Sequence, residues 1–268
     1  ETARTAMRSL LSNRMRTALT ALGMVIGVAA VVAVLAIGEG AQASVANQIR
    51  ALGANLLYIR PANRTNGPVR SGTVDTLTLA DAEALARLPG ITGVAPEAAG
   101  SAQVKYREFN MTATIYGVTP AYLEVRALSV ATGIGLSQAD LTQRRRVVVL
   151  GANVAEQLFG DASPLGARGQ VRGITFRVLG VLGRKGDTGF SSPDDQVYIP
   201  LSTHQSSLFG LPQLSGINLQ IANEDDAPQL VERITQVLRA RHRLRDDVED
   251  DFAVRSQAEM LETLGQVT

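Results

Sequence analysis

Thr17 to Gly38 (TALTALGMVIGVAAVVAVLAIG) constrains this chain more than any other stretch, with 22 residues free of charge, proline, asparagine and glutamine. At a helical rise of about 1.5 Å per residue it reaches roughly 33 Å, enough to cross a hydrocarbon core of about 30 Å. A single segment in lipid satisfies its own backbone only as a helix, so residues 17–38 are expected to form one transmembrane helix. Arg4, Arg8, Arg14 and Arg16 precede it against one acid, Glu1, and the first charge after it is Glu39. Basic flanks stay cytoplasmic, which puts the N-terminus inside and residues 39–268 outside. A cleaved signal peptide would share that flank, and Ala41-Gln42-Ala43 resembles a cleavage site. However, an h-region usually runs about 7–15 residues, and this run is longer. A buried core helix would be shorter and interrupted by polar side chains.

The flanks of the run carry their own patterns. Residues 1–16 place Met7, Leu10, Leu11 and Met15 at helical spacing among Arg4, Arg8, Arg14 and Arg16. That pattern predicts an amphipathic segment on the inner membrane surface, its arginines near anionic lipid headgroups; the alternative is a plain basic flank that sets orientation. Within the span, Gly23 and Gly27 make a G-x-x-x-G step that would let two helix backbones approach. Beyond it, Ala41, Val45, Ile49 and Leu52 form a helical stripe closed by Gly53, predicting a helical stalk over 39–53. A continuous helix transmits movement, whereas a Gly/Ser linker does not.

The totals exclude several function classes. With 26 basic and 25 acidic residues the chain has a formal charge of +1, unlike a nucleic-acid binder, which needs a strongly basic face. Zero cysteines remove disulfides, thiolate nucleophiles and Cys-based zinc sites. No tryptophan and 4% aromatics leave little for an aromatic cage.

Outside the span the pattern is α+β. Asn55 to Arg60 reads as a strand, Pro61 to Thr76 as an exposed loop rich in Asn, Gly and Pro. Thr78 and Asp81 form a capping-box start for a helix over Leu79 to Leu88, ended by Pro89-Gly90. Strands follow at Val94 to Ala99, Ala102 to Arg107 and Met111 to Val118, with Glu108-Phe109-Asn110 as a hairpin turn. Residues 119–213 are glycine-rich with brief helices. They contain a buried-type strand at Arg146 to Leu150, a helix at Asn153 to Phe159, and a hairpin of Gln170-Val171 with Ile174 to Leu182 around Arg172-Gly173. A polar loop, Gly183 to Asp195, precedes a strand at Val197 to Pro200. The first pattern then returns with a strand at Ile217 to Ile221, a helix at Ala227 to Arg241 and a strand at Phe252 to Arg255. This predicts a split α+β subdomain, 54–118 plus 214–256, interrupted by a β-rich one, 119–213. Residues 257–268 read as the start of a further helix leading to a second transmembrane segment.

Catalytic, cofactor and metal motifs are missing. There is no G-x-x-x-x-G-K-[ST], so no phosphate cradle for ATP, and Gly133-Ile134-Gly135 lacks both a third glycine and a strand–helix setting. No G-x-S-x-G elbow is found. His204 and His242 lack metal-ligand spacing and read as surface or boundary residues. Asp225-Asp226, Asp246-Asp247 and Glu249-Asp250-Asp251 lack a calcium-loop pattern and read as solvated turns, the first placed before a helix N-terminus. Arg144-Arg145-Arg146 reads as a soluble strand edge.

Two phrases carry a family resemblance, RSLLSNRMRTALTALGMVIGVAAVVAVLAIGEGA and VVVLGANVAEQLFGDASPLGARGQVRGITFRVLGVL. With the strand–helix–strand flanks they make essentially the whole chain similar to the permease unit of MacB-type ABC transporters, in the MacB/FtsX-like superfamily. The resemblance implies a first transmembrane helix, a porter-like α+β part split by the β-rich insert, and a homodimer in the bacterial inner membrane. It further implies a cytoplasmic ATPase that binds ATP and Mg outside this chain, a periplasmic adaptor, and a TolC-like outer-membrane channel reached through that adaptor. In this scheme ATP-driven helix motion works the outer domain, which expels periplasmic substrates such as a drug, toxin, peptide or siderophore. Related permeases extract lipoproteins or regulate cell-wall hydrolases, and that is the alternative function. The family's ATPase and three further transmembrane helices are not in this sequence, so this piece alone is not expected to be an enzyme or to pump.

Overall fold

A computed structural model of the chain describes residues 15, 19, 22–36, 38, 55–62, 76–186, 192–256 and 259. Two compact units emerge, Glu1–Ala51 and Leu52–Thr268.

In the first unit residues 22–36 are helical and every one of them is exposed, Val25, Ile26 and Leu35 included. The described helix covers roughly 22 Å at about 1.5 Å per residue, and among the described residues no helix is long and apolar enough to cross a membrane. Of the expected span 17–38, residues 22–36 and 38 are helical, while 17, 18, 20, 21 and 37 lie outside the described residues. So do Arg4, Arg8, Arg14 and Arg16, the expected stalk 39–53, most of the loop 61–76, and all but one residue of 257–268.

The second unit is built on one long strand. β2 (Ile91–Tyr106) and its hairpin partner β3 (Phe109–Val118) pair over ten positions from Glu97↔Val118 to Tyr106↔Phe109. Sequence spacing suggests two strands here, broken near Gly100. Instead Gly100 stays in the strand, because the Phe209 ring fills the space its Cβ would take, 2.5 Å away. The turn is also tighter than expected: Arg107 takes a left-handed φ of 54° and only Arg107-Glu108 leave the ladder, so Phe109 and Asn110 begin β3.

The other strands are β1 (Leu56–Pro61), β4 (Val130–Gly133), β5 (Val147–Leu150), β6 (Arg168–Val171), β7 (Ile174–Leu182), β8 (Gln196–Pro200), β9 (Gly216–Ile221) and β10 (Phe252–Ser256). Their order is β10-β1-β9-β2-β3-β8-β5-β7-β4, with β6 pairing both β2 and β7. The path β2–β3–β8–β5–β7–β6 therefore returns to its start through Val104↔Val171 and Lys105↔Gln170, and six strands close a barrel. Alternation sends Val104, Ile115, Val148, Phe176, Val178 and Val197 inward, filling a barrel too small to hold a ligand without displacing side chains. α4 (Ala152–Phe159) packs Val154, Leu158 and Phe159 into the same core. Closure leaves these six strands without a long free edge.

The N-terminal half of β2 belongs to an open sheet with β9, β1 and β10. Its one face buries Leu57, Ile59, Ile217 and Leu219 under α1 (Leu79–Leu85) and α5 (Ala227–His242), through Leu85, Leu230, Ile234 and Leu238. The opposite face places Leu56 and Ala95 near α2 (Ala121–Val125), in one cluster with Val147, Val149 and Tyr198 from the outer side of β5 and β8. At about 25 cal/mol per Å² these buried aliphatic faces dominate the stabilisation.

Local signals explain the helices. Thr78 caps α1 by accepting from Asp81 N while Asp81 Oδ2 accepts from Thr78 N (2.9 Å), the expected capping box. Ser137 and Asp140 repeat that motif to start α3 (Gln138–Thr142), a helix the sequence reading passed over along with α2 and β4. Asp226 ends a 3-10 turn capped by Asn223 before α5. A π-helical turn, His204–Leu208, follows β8 through Leu201–Thr203 and lays His204 on Gly117, where a Cβ would lie 2.3 Å from that of His204.

Candidate functional site

Among the described residues of the second unit β1 is the first strand, just after Asn55, and β10 is the last. β1 and β10 are antiparallel neighbours, with Leu57 opposite Ser256 and Pro61 opposite Phe252. The start of β1 and the end of β10 therefore lie side by side at one end of the sheet, with β10 on its edge.

A buried charged joint ties β1 onward. Arg60, on β1, pairs with Glu97 on β2 at 2.9 Å, reaching across β9. Glu97 is 3% exposed, and Asn218 on the intervening strand donates to it at 2.7 Å and to Ala95 O at 3.2 Å. The crossing is possible because β9 carries Gly216 there, since a Cβ would sit 1.6 Å from Arg60 Nη1. Around this joint Arg126 donates to the Tyr58 hydroxyl at 2.9 Å, and Tyr116, Tyr122 and Tyr198 cluster with ring centroids 6.0–6.5 Å apart. Burial pushes all four phenols up, Tyr122 and Tyr198 furthest, and the Glu97 charge pushes the same way. They stay neutral, so the charges to be balanced are those of Glu97, Arg60 and Arg126.

A second knot holds β10. His242, at the end of α5, has its side chain 8% exposed between two carboxylates, with Nδ1 2.8 Å from Asp251 Oδ1 and Nε2 3.4 Å from Asp81 Oδ2. Arg241 Nε donates to Asp81 Oδ1 at 2.6 Å, and Thr78 donates to Oδ2 from its hydroxyl at 2.6 Å. Burial alone would raise the Asp81 carboxyl, but the Thr78 and Arg241 hydrogen bonds and His242 together hold it below the ordinary value. Arg239 pairs with Asp250. Within the acidic run 249–251 Glu249 is exposed as expected, but Asp251 is 6% exposed, and its backbone carbonyl accepts from Ala62 N at 2.9 Å next to β1. By overall exposure His242 is a boundary residue, as expected, whereas His204 lies in the core. His204 is 2% exposed, stacked on Phe209 at 4.5 Å, and both ring nitrogens lack a hydrogen-bond partner.

A third contact set closes the loop after β7. Asp194 accepts from Lys185 N and Gly186 N, both at 3.0 Å, while Lys185 Nζ donates to Arg126 O and Ala127 O. Burial, helped by the Arg126 charge, lowers the Lys185 ammonium.

None of these clusters pairs a nucleophile with a base, and among the described residues no group of three His, Asp or Glu is placed to hold a metal ion. The arrangement couples strands rather than reacting atoms. Of the residues singled out from sequence, Gly23 and Gly27 sit in the helix of the first unit, where an added Cβ at either meets nothing within 4 Å. Arg60, Glu97 and Asn218 went unnoticed. The available signal was Glu97 itself, one charge in the otherwise uncharged run VAPEAAG.

An edge strand pair, joined through the buried Glu97 to a closed barrel, defines an α+β domain with no reacting site among the described residues. Residues 17–237 match the family described as the MacB-like periplasmic core domain, and the chain belongs to that family. It is 35% identical over 266 residues to the macrolide export ATP-binding/permease protein MacB of Chlorobaculum tepidum, covering 98% of this chain and 41% of that protein. It is 40% identical over 265 residues to the protein of the same name from Rhodospirillum rubrum, covering 98% and 40%. The chain thus spans about two fifths of the length of these curated relatives. The crystal structure of the periplasmic region of MacB from Actinobacillus actinomycetemcomitans matches with a TM-score of 0.68 at 25% identity, covering 82% of this chain and 97% of that one. The chain is therefore a MacB-like periplasmic domain of an ABC transporter permease, the periplasmic part of an inner-membrane protein.

Proposed function

We propose that this chain transmits ATP-driven motion from an inner-membrane permease to its periplasmic head, expelling periplasmic substrates through an adaptor and an outer-membrane channel. The ATPase and the adaptor are separate from the residues described, and a homodimer supplies the second head. Residues 17–38 serve as the first membrane span in this reading. A helix whose apolar side chains are all exposed calls for a lipid or protein environment. The porter-like part, 54–118 with 214–256, and the β-rich part, 119–213, act as the two lobes that are moved. Macrolide export is the activity named for the relatives, and a macrolide is the first substrate to test.

The observation that carries this reading is the side-by-side placement of β1 and β10, with Arg60 and Glu97 linking β1 to the strand that runs into the barrel. Displacing the chain ends then loads β2 directly, as a mechanical relay requires. The test is the neutral pair R60Q/E97Q in the full-length transporter with its adaptor and channel. Macrolide resistance should fall while ATP hydrolysis and membrane abundance persist. Unchanged resistance, with the head folded, would refute the relay.

A further inference from the structure

The open sheet end and the barrel end of the second unit differ in charge. From Gly93, which faces Gln220 opposite Leu56, strand β2 runs to Lys105 on the barrel. At about 3.3 Å per residue that is up to about 40 Å from the point where the chain arrives. There the outer barrel face is assembled from paired positions: Lys105 faces Gln170, Gln103 faces Thr112, and Arg168 faces Arg177. All six are exposed, as is Thr175 beside them, and none of these ladder positions carries a carboxylate.

One feature singles out this face. Arg168 and Arg177 stand directly opposite each other in an antiparallel pair, an arrangement of like charges that weakens a sheet. Neither they nor Lys105 has an ion-pair partner among the described residues, as also holds for Arg87 and Arg233 elsewhere on the surface. In a chain of formal charge +1, three unpaired cations concentrated on a rigid closed barrel are a local excess. Planar guanidinium forks suit carboxylates, and glutamine and threonine between them offer neutral hydrogen bonds. The paired positions are all polar or charged, and the exposed Phe109 lies beyond them at the hairpin end of β3, which favours a protein partner over a membrane surface.

We propose that the outer barrel face formed by Lys105, Arg168 and Arg177 is the docking surface for an acidic patch on a protein partner. The proposal rests on the periplasmic head reading above only in placing that partner outside the inner membrane. It does not depend on the relay through Arg60 and Glu97.

The test uses the full chain in phosphatidylcholine nanodiscs and the anisotropy of a fluorescent polyglutamate peptide. Binding should weaken on the order of tenfold in R168Q/R177Q, and weaken further as salt shortens the Debye length below about 10 Å. The charge-matched control R87Q/R233Q, at exposed arginines elsewhere, should bind as the unaltered chain does. R168Q/R177Q should also melt no lower than the unaltered chain, since it relieves the opposed charges. Equal loss in both variants, or no peptide binding at low salt, overturns the proposal. Displacement of the peptide by soluble short-chain phosphatidylglycerol at lower concentration, with the same arginine dependence, also overturns it, in favour of a lipid headgroup site. Loss of export in R60Q/E97Q without any change in peptide binding would leave the two readings separately decided.

Discussion

His204 makes the head sensitive to acid in a defined window. Burial pushes its imidazole down from 6.5 to about 4, the Ile115 backbone opposing this by less, and neither ring nitrogen has a partner. Gly117 and Phe209 pack against the ring and offer no acceptor, while the Arg172 guanidinium lies 5.1 Å from the Phe209 centroid. The folded state resists a proton that the unfolded chain accepts below pH 6.5. A His depressed in this way contributes stability fully above pH 6.5 and loses it as pH falls towards about 4. The slope is about 1.4 kcal/mol per pH unit, so about 2 kcal/mol is lost by pH 5 and about 3 kcal/mol by pH 4. His204→Leu removes both nitrogens at similar volume and should abolish this slope while leaving stability at pH 7 equal or higher. The assay is guanidinium unfolding followed by far-UV circular dichroism at several pH values, since the chain has no tryptophan. Parallel pH dependence of the two proteins between pH 6.5 and 4 would show that His204 is not the titrating group.

Other expectations concern the joints and the topology. Gly216→Ala should cost about 1–3 kcal/mol, because the new methyl displaces the half-exposed Arg60 guanidinium and leaves the buried Glu97 with Asn218 as a remaining donor; denaturation midpoints at constant m-value measure it. Asp81→Asn should cost about 2 kcal/mol at pH 7 through lost charge-assisted hydrogen bonds. Because the Asp81 carboxyl is held low, its stabilisation is present above its ordinary value of 3.8 and disappears as pH falls through the lowered one. The variant should therefore show a flatter acid limb. With no native cysteine to interfere, single Thr5→Cys and Phe109→Cys variants report topology. A membrane-impermeant maleimide should label only the second from outside the inner membrane, and labelling of both would reverse the proposed orientation.

What could be read from sequence follows the range of each signal. The Thr78–Asp81 box, the hairpin at Arg172-Gly173 and the stripe of α5 are set by residues a few positions apart, and they stand where spacing put them. The Ser137–Asp140 box is the same local chemistry and was equally available. Burial of His242 depends on Asp81, 161 positions away, and the charged joint joins Arg60 to Asn218 across 158. No short window of sequence contains these distant partners, although Asp251 lies only nine positions from His242. Barrel closure rests on two residue pairs between β2 and β6, which leave no mark on the periodicity of either strand.

Because β2 serves the open sheet and the barrel at once and carries β3 with it, neither lobe owns its own walls. Cutting after Val118 and grafting residues 119–213 from a relative would transplant β4 to β8 while leaving two staves behind. Exchange between family members should therefore succeed only when the hairpin travels with its barrel. A one-residue slip along β2 would turn both cores inside out together, so selection on one lobe's packing is felt by the other.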